Sequence, residues 1–528
     1  MKCEDNLMKL LNLSSICNFE YIENRENNKS YVATFDNVDK KVYSACCNAL
    51  IDGGFEKKEA YENGNNSFCF FSKDNFGVFV NYYGATREMR IVEEEDCLYF
   101  SYSDSFGGNL VTPEITQVKL EDYGMSYVIR LSDGRFIVID GGRELEPDRD
   151  RLFKTLKKGA NGEKPVIAAW IMTHPHADHF NCFNLFMDNY ADEIILEKVL
   201  LNFPEADDLE HYPKLTQKHK LFADSSPFTN IPMMYERISQ TGAPIYMAHT
   251  GQRYVIGDAK CEILSSMDDT IHNSDNINST SLVIRMELGG QTILWATDSS
   301  FEHARLPERY GSYLKADILQ VPHHGFGNGA HSEQIKGFEL IRPSVCLLPV
   351  SDYNAYVKMC TYREGTSHLM NMPCVREIIT GETQRSITLP YTPSENARGE
   401  IDKKFMSGRA AGGSCVWVYS DLSTACEEDF EFTLLNMTTY PADISIDLYF
   451  ENAANEVRYI KYQLSKNALK RLNIVGEEVD GDAVYFNWLS LKGQGIPENA
   501  RFSVRFMSSQ PIVVSHEKHK AAYVSPVV

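Results

Sequence analysis

The sequence predicts an α/β protein: a double sheet covered by helices, set between a small α+β unit and a C-terminal β-sandwich. Three observations predict it. Across residues 106–393, strand-length apolar runs alternate with helical patterns, and the residue types that bind metals or move protons fall at strand ends. Across 394–528, a polar linker with Pro393, Ser394, Asn396 and Gly399 around its start gives way to strand-length runs with no long helical pattern. Across 1–105, one helical stretch is followed by three strand signals separated by turns. A chain of 528 residues supports this division, since its length alone suggests roughly two to four domains.

Composition narrows the function classes. Hydrophobic residues at 43% and charged residues at 24% are those of a soluble globular protein. A formal charge of −21 repels polyanions, which disfavours nucleic acid as a partner. Lys214, Lys218, His219 and Lys220 form a modest basic cluster that reads as a solvated face. No stretch reaches the roughly 20 apolar residues of a membrane helix, and the acidic N-terminus is a poor signal peptide, so no membrane association is expected. The 13 cysteines include no C-x-x-C pair, which suits reduced thiols and a cytoplasmic location.

In chain order, residues 1–30 read as a loose lead-in. Asn37 is placed to cap a helix over 38–51, closed by Gly53 and Gly54. Strands are expected at Ser67–Ser72, Gly77–Tyr83 and Met89–Glu93, and the aromatic residues of this unit read as packing. Met125–Leu131 and Arg135–Ile139 form a hairpin that runs into Asp140–Gly141–Gly142, in isolation an ordinary turn. Val166–Met172 is a buried strand, followed after Thr173 by His174, His176, Asp178 and His179 and then by Phe180, Phe183 and Met187 at helical spacing. Side chains alternate along an extended segment, so His-x-His presents two nitrogens on one side. Asp178 and His179, one step on where the backbone turns, are placed to face a second ion. Borderline divalent metals take nitrogen and carboxylate ligands of this kind.

Further strands are expected at Glu193–Leu201, Tyr254–Ile256, Cys261–Leu264, Ser281–Leu288, Thr292–Ala296, Ala316–Val321 and Val345–Pro349. Helices are expected at Ile231–Thr241, at Ser332–Ile341, and opening at Ser299–Ser300. Asp298 is then either a helix cap or a ligand, and His324, just after the Ala316–Val321 strand, either a buried histidine or a ligand. The irregular segment 204–230 reads as a lid or rim, and Tyr353, Tyr356 and Tyr362 as packing or rim residues. Beyond residue 409, strands are expected at Ser414–Tyr419, Asp429–Asn436, Asp443–Phe450, Arg458–Leu464, Ala483–Leu489, Arg501–Met507 and Ile512–Glu517, with His516 and His519 as a surface pair.

The run HPHADH, His174 to His179, resembles the His-x-His-x-Asp-His signature of the metallo-β-lactamase superfamily. The resemblance implies an αββα sandwich over most of 106–393 and two divalent ions, zinc first with manganese or iron as alternatives. His174 and His176 would hold one ion, and Asp178, His179 and His324 the other. Asp298 would bridge them, and Asp140 would orient the loop by hydrogen bonds. His324 is preferred to His323 because the residue directly before the glycine is the usual ligand in the family. His323 is then left to donate to a developing oxyanion, and Asp178 to orient a metal-activated hydroxide and shuttle its proton. One departure stands out: most members supply a third histidine to the first metal, whereas SSMDDTIHNSDNINSTS offers His272, with His249 earlier, or leaves the place to water.

The runs SLVIRMELGG, ILWATDSS and ADILQVPHHG resemble the ComEC-type branch, which implies hydrolysis of a phosphoric ester or diester. A lactone or carboxylic ester hydrolase, and a ligand-sensing protein with a non-catalytic metal site, are the alternatives. FEFTLLNMTTYPADISIDLYFEN and IPENARFSVRFMSSQPIVVSHEKH resemble the sensory rhodopsin transducer family, which implies self-association through the C-terminal sandwich. The expected partners are thus a small-molecule or ester substrate and further copies of the chain.

Overall fold

The computed structural model describes residues 19–24, 30–95, 110–203, 227–270, 276–359, 364–401, 404, 416–423, 431–436, 442–450, 457–464, 469–473, 501–508, 512–516 and 524–525. Contacts group the chain into two units, one of residues 1–351 with 371–397 and the other of 352–370 with 398–528. The expected strand Ala483–Leu489, His519, Tyr362, His272, the lysine cluster and most of segment 204–230 lie outside the described residues.

The first unit opens with a six-stranded antiparallel sheet. Its strands are β1 (Phe19–Asn24), β2 (Ser30–Phe35), β3 (Glu56–Asn63), β4 (Asn66–Lys73), β5 (Phe76–Tyr83) and β6 (Glu88–Glu95), in spatial order β1-β2-β6-β5-β4-β3. Of the expected loose lead-in over 1–30, the described residues Phe19–Asn24 form β1 and Ser30 opens β2, in which Val32 and Phe35 are buried. Strand β3, EKKEAYEN, escaped the reading because it is an edge strand with mostly exposed, charged side chains, a common way of blocking edge pairing. Helix α1 (Lys40–Asp52) begins at Asp39 rather than Asn37, which takes φ +55 instead, and closes at Gly53 as expected. Tyr43, Cys46 and Leu50 of α1 pack on Phe71, Val78, Met89 and Ile91, which covers one face of the sheet.

The remainder of the unit is a double sheet. One sheet runs β13 (Ile245–Met247), β12 (Val199–Leu201), β10 (Val166–Ile171), β9 (Phe136–Asp140), β8 (Ser126–Arg130), β7 (Glu114–Gln117) and β21 (Arg385–Thr388), with β11 (Ile195–Leu196) also paired to β10. The other runs β14 (Arg253–Ile256), β15 (Ala259–Ser265), β16 (Val283–Leu288), β17 (Gln291–Trp295), β18 (Ile318–Gln320), β19 (Val345–Leu348) and β20 (Glu377–Thr380). Ile137, Ile139, Ile171, Ile263, Ile284 and Trp295 fill the space between them. Helices α2 (Glu146–Gly159), α3 (Ala177–Tyr190) and α4 (Pro227–Thr241) share with the first sheet a second core built on Trp170, Phe183, Phe186 and Met234. This is the predicted α/β double sheet with additional β structure. Strand runs β8-β9-β10 and β16-β17-β18 therefore carry the chain repeatedly to one set of tips.

Two expectations need correction here, and one helix was not expected. Glu193–Leu201 is not one strand but a 3-10 turn over Ala191–Glu193 and two short strands, with Glu197 turned out to meet Arg135 at 2.8 Å. No helix opens at Ser299–Ser300. Ser300 Oγ instead accepts from His303 N at 3.2 Å, Arg305 adopts φ +50, and helix begins only at Leu306–Tyr310. Helix α2 was not anticipated, because Leu152 and Leu156 are its buried apolar pair in an otherwise charged sequence.

In the second unit, antiparallel sheets form from Val457–Leu464, Ala442–Phe450, Arg501–Ser508, Val416–Ser423 and Val524–Ser525, and from Leu469–Asn473, Glu431–Asn436 and Ile512–His516. His516 is buried against Phe432 and Tyr419, at 4.9 and 5.7 Å between ring centroids, so it is a core residue and not a surface one. Tyr356 is buried and Tyr353 exposed in this unit. No helix among the described residues is long and apolar enough to cross a membrane.

Candidate metal centre

Strand β10 ends at Ile171, and the chain turns through Thr173–Asp178 into α3, for which His176 is the N-cap residue. Strand β17 ends three residues before Asp298. Strand β18 ends at Gln320, and a short turn then presents His323 and His324 in successive left-handed conformations, φ +49 and +51. Two such non-glycine residues in a row cost on the order of 1–3 kcal/mol each. They are held by His323 N donating to Thr297 O at 2.8 Å and Phe326 N donating to His323 O at 2.7 Å. All these side chains lie beyond the carboxyl ends of strands that run parallel to a neighbour, where open α/β sheets place their ligands.

Two groups result. Ligand-type atoms of His174, His176 and Asp298 lie within 4.8 Å of one another, as do those of Asp178, His179 and His324. Asp298 joins them: its Oδ2 is 3.8 Å from His174 Nε2, 3.3 Å from His179 Nε2 and 3.5 Å from His324 Nε2. His324 Nε2 is 3.3 Å from Asp178 Oδ2.

Asp140 decides where the protons sit. Its carboxylate accepts from Thr173 N and Thr173 Oγ1, both at 2.8 Å, and from His179 Nδ1 at 2.7 Å. With the Thr173 hydroxyl proton committed to Asp140, Thr173 Oγ1 can only accept from His174 Nδ1, at 3.2 Å. In the neutral rings both Nε2 atoms are therefore bare and face the site. His174 Nε2 looks at Asn278 Oδ1 at 3.2 Å, and His179 Nε2 looks at His324 Nε2 at 3.2 Å. Asp298 Oδ1 and His324 Nδ1 are buried without a hydrogen bond. Lone pairs that face lone pairs in a dry site are what a cation resolves, and nitrogen with carboxylate oxygen is a donor set for borderline divalent metals. The residues fit two such ions.

The electrostatics agree. Burial would lower His179 and His324, but Asp298, with Asp140 for one and Asp178 for the other, pushes His179 well above its ordinary range and His324 up to about 9. Burial would raise Asp298, yet His324 and His179 hold it well below the carboxylate range. Asp178 is likewise held down against burial by His324 and His179. Burial lowers His174 far below its ordinary value and His176 to about 4. The carboxylates thus demand positive charge at the His179–His324 end.

Among the described residues, Asn278 stands where sequence reasoning sought a third histidine; its only signal was an Asn- and Ser-rich run. His249 is elsewhere, buried between Asp268 and Ser30, with both contacts at 2.9 Å. His323 donates from Nδ1 to Gly327 O at 2.7 Å, so the Nε2 of its neutral ring is an acceptor, met by Asn278 Nδ2 at 3.0 Å. Donation from that Nε2 to an oxyanion requires the doubly protonated ring.

Residues 121–328 match the family model described as the metallo-beta-lactamase superfamily. The chain carries a metallo-beta-lactamase superfamily domain. No curated protein matches the chain. Among solved structures, this chain is similar to the metallo-beta-lactamase fold protein YhfI from Bacillus subtilis, at 15% identity and TM-score 0.32, covering 52% of this chain and 99% of that one. A flavodiiron protein from Giardia intestinalis is similar at 13% identity and TM-score 0.22, covering 54% and 52%. The Anabaena sensory rhodopsin transducer is similar at 17% identity and TM-score 0.15, covering 20% and 83%. Likenesses at these scores carry no functional argument. Members of the metallo-beta-lactamase superfamily are generally hydrolases that bind divalent metals, and the His/Asp clusters of this domain are of that kind.

Proposed function

We propose that this chain is a metal-dependent hydrolase of phosphoric esters, diesters first. The observation that carries the reading is the convergence of bare Nε2 atoms and an unpartnered Asp298 oxygen at the tips of β10, β17 and β18. When bound there, two divalent cations supply a water ionised near neutral pH and a polarised ester oxygen. Asp140, through Thr173 and His179, keeps the imidazoles in the tautomer that offers nitrogen lone pairs to the site. Asp178, 14% exposed at the solvent side, is placed to orient the attacking water and to carry its proton away.

Two features support a catalytic over a structural centre, and an anionic over a neutral substrate. A structural metal site is closed by protein, whereas His323 is 26% exposed and Asp178 is reachable from outside. At the same mouth, the exposed Tyr123 ring meets His324 edge-on at 6.2 Å, and the Arg143 guanidinium lies 4.7 Å over that ring. Arg143 also faces Asp122 Oδ2 at 3.6 Å, and the positive charge it keeps on the ring that meets His324 favours a phosphodiester over a lactone.

The test is hydrolysis by the purified full chain, loaded with Zn²⁺ or Mn²⁺, of bis-p-nitrophenyl phosphate and of a simple lactone. Diester turnover that is lost with chelator and restored by metal is expected. Lactone turnover without diester turnover would overturn the ester class, and no bound transition metal would overturn the enzyme.

A further inference from the structure

The outer face of the second sheet carries a cavity of about 270 Å³, lined by side chains of β3, β14, β15 and β16 and by Tyr313. Its floor is a ladder of alternating charge. Arg253, Glu262 and Arg285 stand side by side across β14, β15 and β16, and Lys260 stands opposite Glu287 in a neighbouring row. Its walls are Tyr61 and Tyr313, whose hydroxyls meet at 3.0 Å, with the second hydroxyl donating onward to Glu262. The Arg253 guanidinium lies 4.3 Å over the Tyr61 ring, and that of Arg285 4.8 Å over the Tyr313 ring.

A ladder that served only to join β3 to the double sheet would consume its own charges, and in part this one does. Arg253 Nη1 donates to Glu59 at 3.0 Å, and Arg285 Nη1 to Glu287 at 2.6 Å. Glu59, Glu262 and Glu287 balance the three cations in charge, but the buried lining atoms left without a hydrogen bond are all donors. Arg253, nine-tenths buried, keeps an Nη2 that makes no hydrogen bond and approaches Glu262 no closer than 3.7 Å. Arg285 Nε is buried without a hydrogen bond. Lys260 is exposed at the rim with no ion pair among the described residues. Surplus N–H donors on three cations, around an open volume with aromatic walls, ask for an acceptor with negative charge.

We propose that this cavity binds a small organic or inorganic oxyanion, a carboxylate or phosphate group, at a site separate from the candidate metal centre. The anion lies among Arg253, Lys260 and Arg285, taking the hydrogen bonds that their carboxylate neighbours leave unmade. The tyrosine walls, fixed by the hydroxyl chain to Glu262, limit its size.

Isothermal titration of the full chain with inorganic phosphate and with succinate tests this, because the two probes separate the phosphate and carboxylate sources. Four proteins are compared: the parent, Lys260→Gln, Arg285→Gln, and His174→Ala/His324→Ala, the last to remove anion binding at the metal centre. At least one probe is expected to bind the parent with a dissociation constant at or below about 1 mM. Lys260→Gln, at an exposed position where folding is not at stake, is expected to weaken binding about tenfold. His174→Ala/His324→Ala is expected to leave it unchanged, with circular dichroism confirming that each protein is folded. Arg285→Gln, with the same check, is expected to abolish it. Failure of both probes to bind the parent, affinity indifferent to Lys260→Gln, or binding lost only with the two histidines would overturn the proposal.

Discussion

Two clusters of buried charge lie in the same unit and follow opposite rules. At the seam where the first sheet meets the double sheet, Asp269 sits between Arg90 and Arg309, and Glu88 takes Arg309 Nε at 3.0 Å and Arg305 Nη1 at 2.5 Å. Asn81 Nδ2 donates to Gly251 O, and Asn66 Nδ2 to Arg309 O, which ties side-chain amides of the first sheet to backbone carbonyls across the seam. There Asp269 and Glu88 each have guanidinium partners, although Arg90 Nε and Nη1 and Arg309 Nη1 make no hydrogen bond. At the strand tips the count of positive groups falls short: one oxygen of Asp298 has no partner, and imidazole nitrogens face an amide oxygen and one another. Buried charge matched by opposite charge holds one arrangement of the chain. Buried charge left short of a partner lowers stability until a cation arrives. That difference separates a seam from a site on physical grounds alone.

The contrast is broken most directly by removing one carboxylate from each cluster. Asp298→Asn in metal-loaded protein is expected to lower kcat/KM on the diester by about a thousandfold or more, with bound metal reduced on elemental analysis. In chelated protein the same substitution is expected to destabilise clearly less than Asp269→Asn, because the imidazoles that lose their partner can give up their protons whereas guanidiniums cannot. Asp269→Asn leaves two buried guanidiniums without their shared anion and is expected to cost about 3–5 kcal/mol in urea denaturation. Equal destabilisation of the chelated protein by both would show that Asp298 is a structural charge like Asp269.

A smaller effect sharpens the same point. Asp140 touches neither group's open side, yet it fixes the proton on His174, through Thr173, and on His179. Asp140→Asn replaces an acceptor by a group that also donates, so the imidazoles lose their enforced tautomer. Metal affinity, followed by competition with a chromophoric chelator, is expected to fall about 10–100-fold. Unchanged affinity would mean that the rings are held by packing alone.

What the sequence made legible follows from locality. Four ligand-type residues within six positions after a buried strand need no long-range information, and Asp140, Asp298 and His324 each announce themselves at the end of an apolar run. Asn278 does not, because an asparagine among asparagines and serines looks like any turn until the fold sets its amide against His174. The seam was invisible for a related reason. EMRIVEEE of β6 alternates like a half-solvated strand, and only a second sheet arriving from residues 251–310 buries Glu88 and Arg90. Charged strands at a junction carry their meaning in partners that sequence spacing does not name.

That hidden partnership has a pH signature. Burial would raise Glu88, but Arg309, Arg90 and Arg305 together hold it below the ordinary carboxylate range. A carboxyl whose pKa is lower folded than unfolded contributes its stability in full above the unfolded value, about 4.3 for Glu, and loses it as pH falls through the folded value. Glu88→Gln is therefore expected to cost about 1–2 kcal/mol at pH 7, discounted for the partial exposure of Arg305. The gap between variant and parent should stay level down to about pH 5 and narrow below about pH 4.3 as the parent's carboxylate takes up its proton. Urea midpoints at several pH values read this directly. A gap that stayed constant into acid would mean that Glu88 holds the seam by shape and hydrogen bonding, with its charge idle, and the distinction between matched and unmatched charge would rest on Asp269 alone.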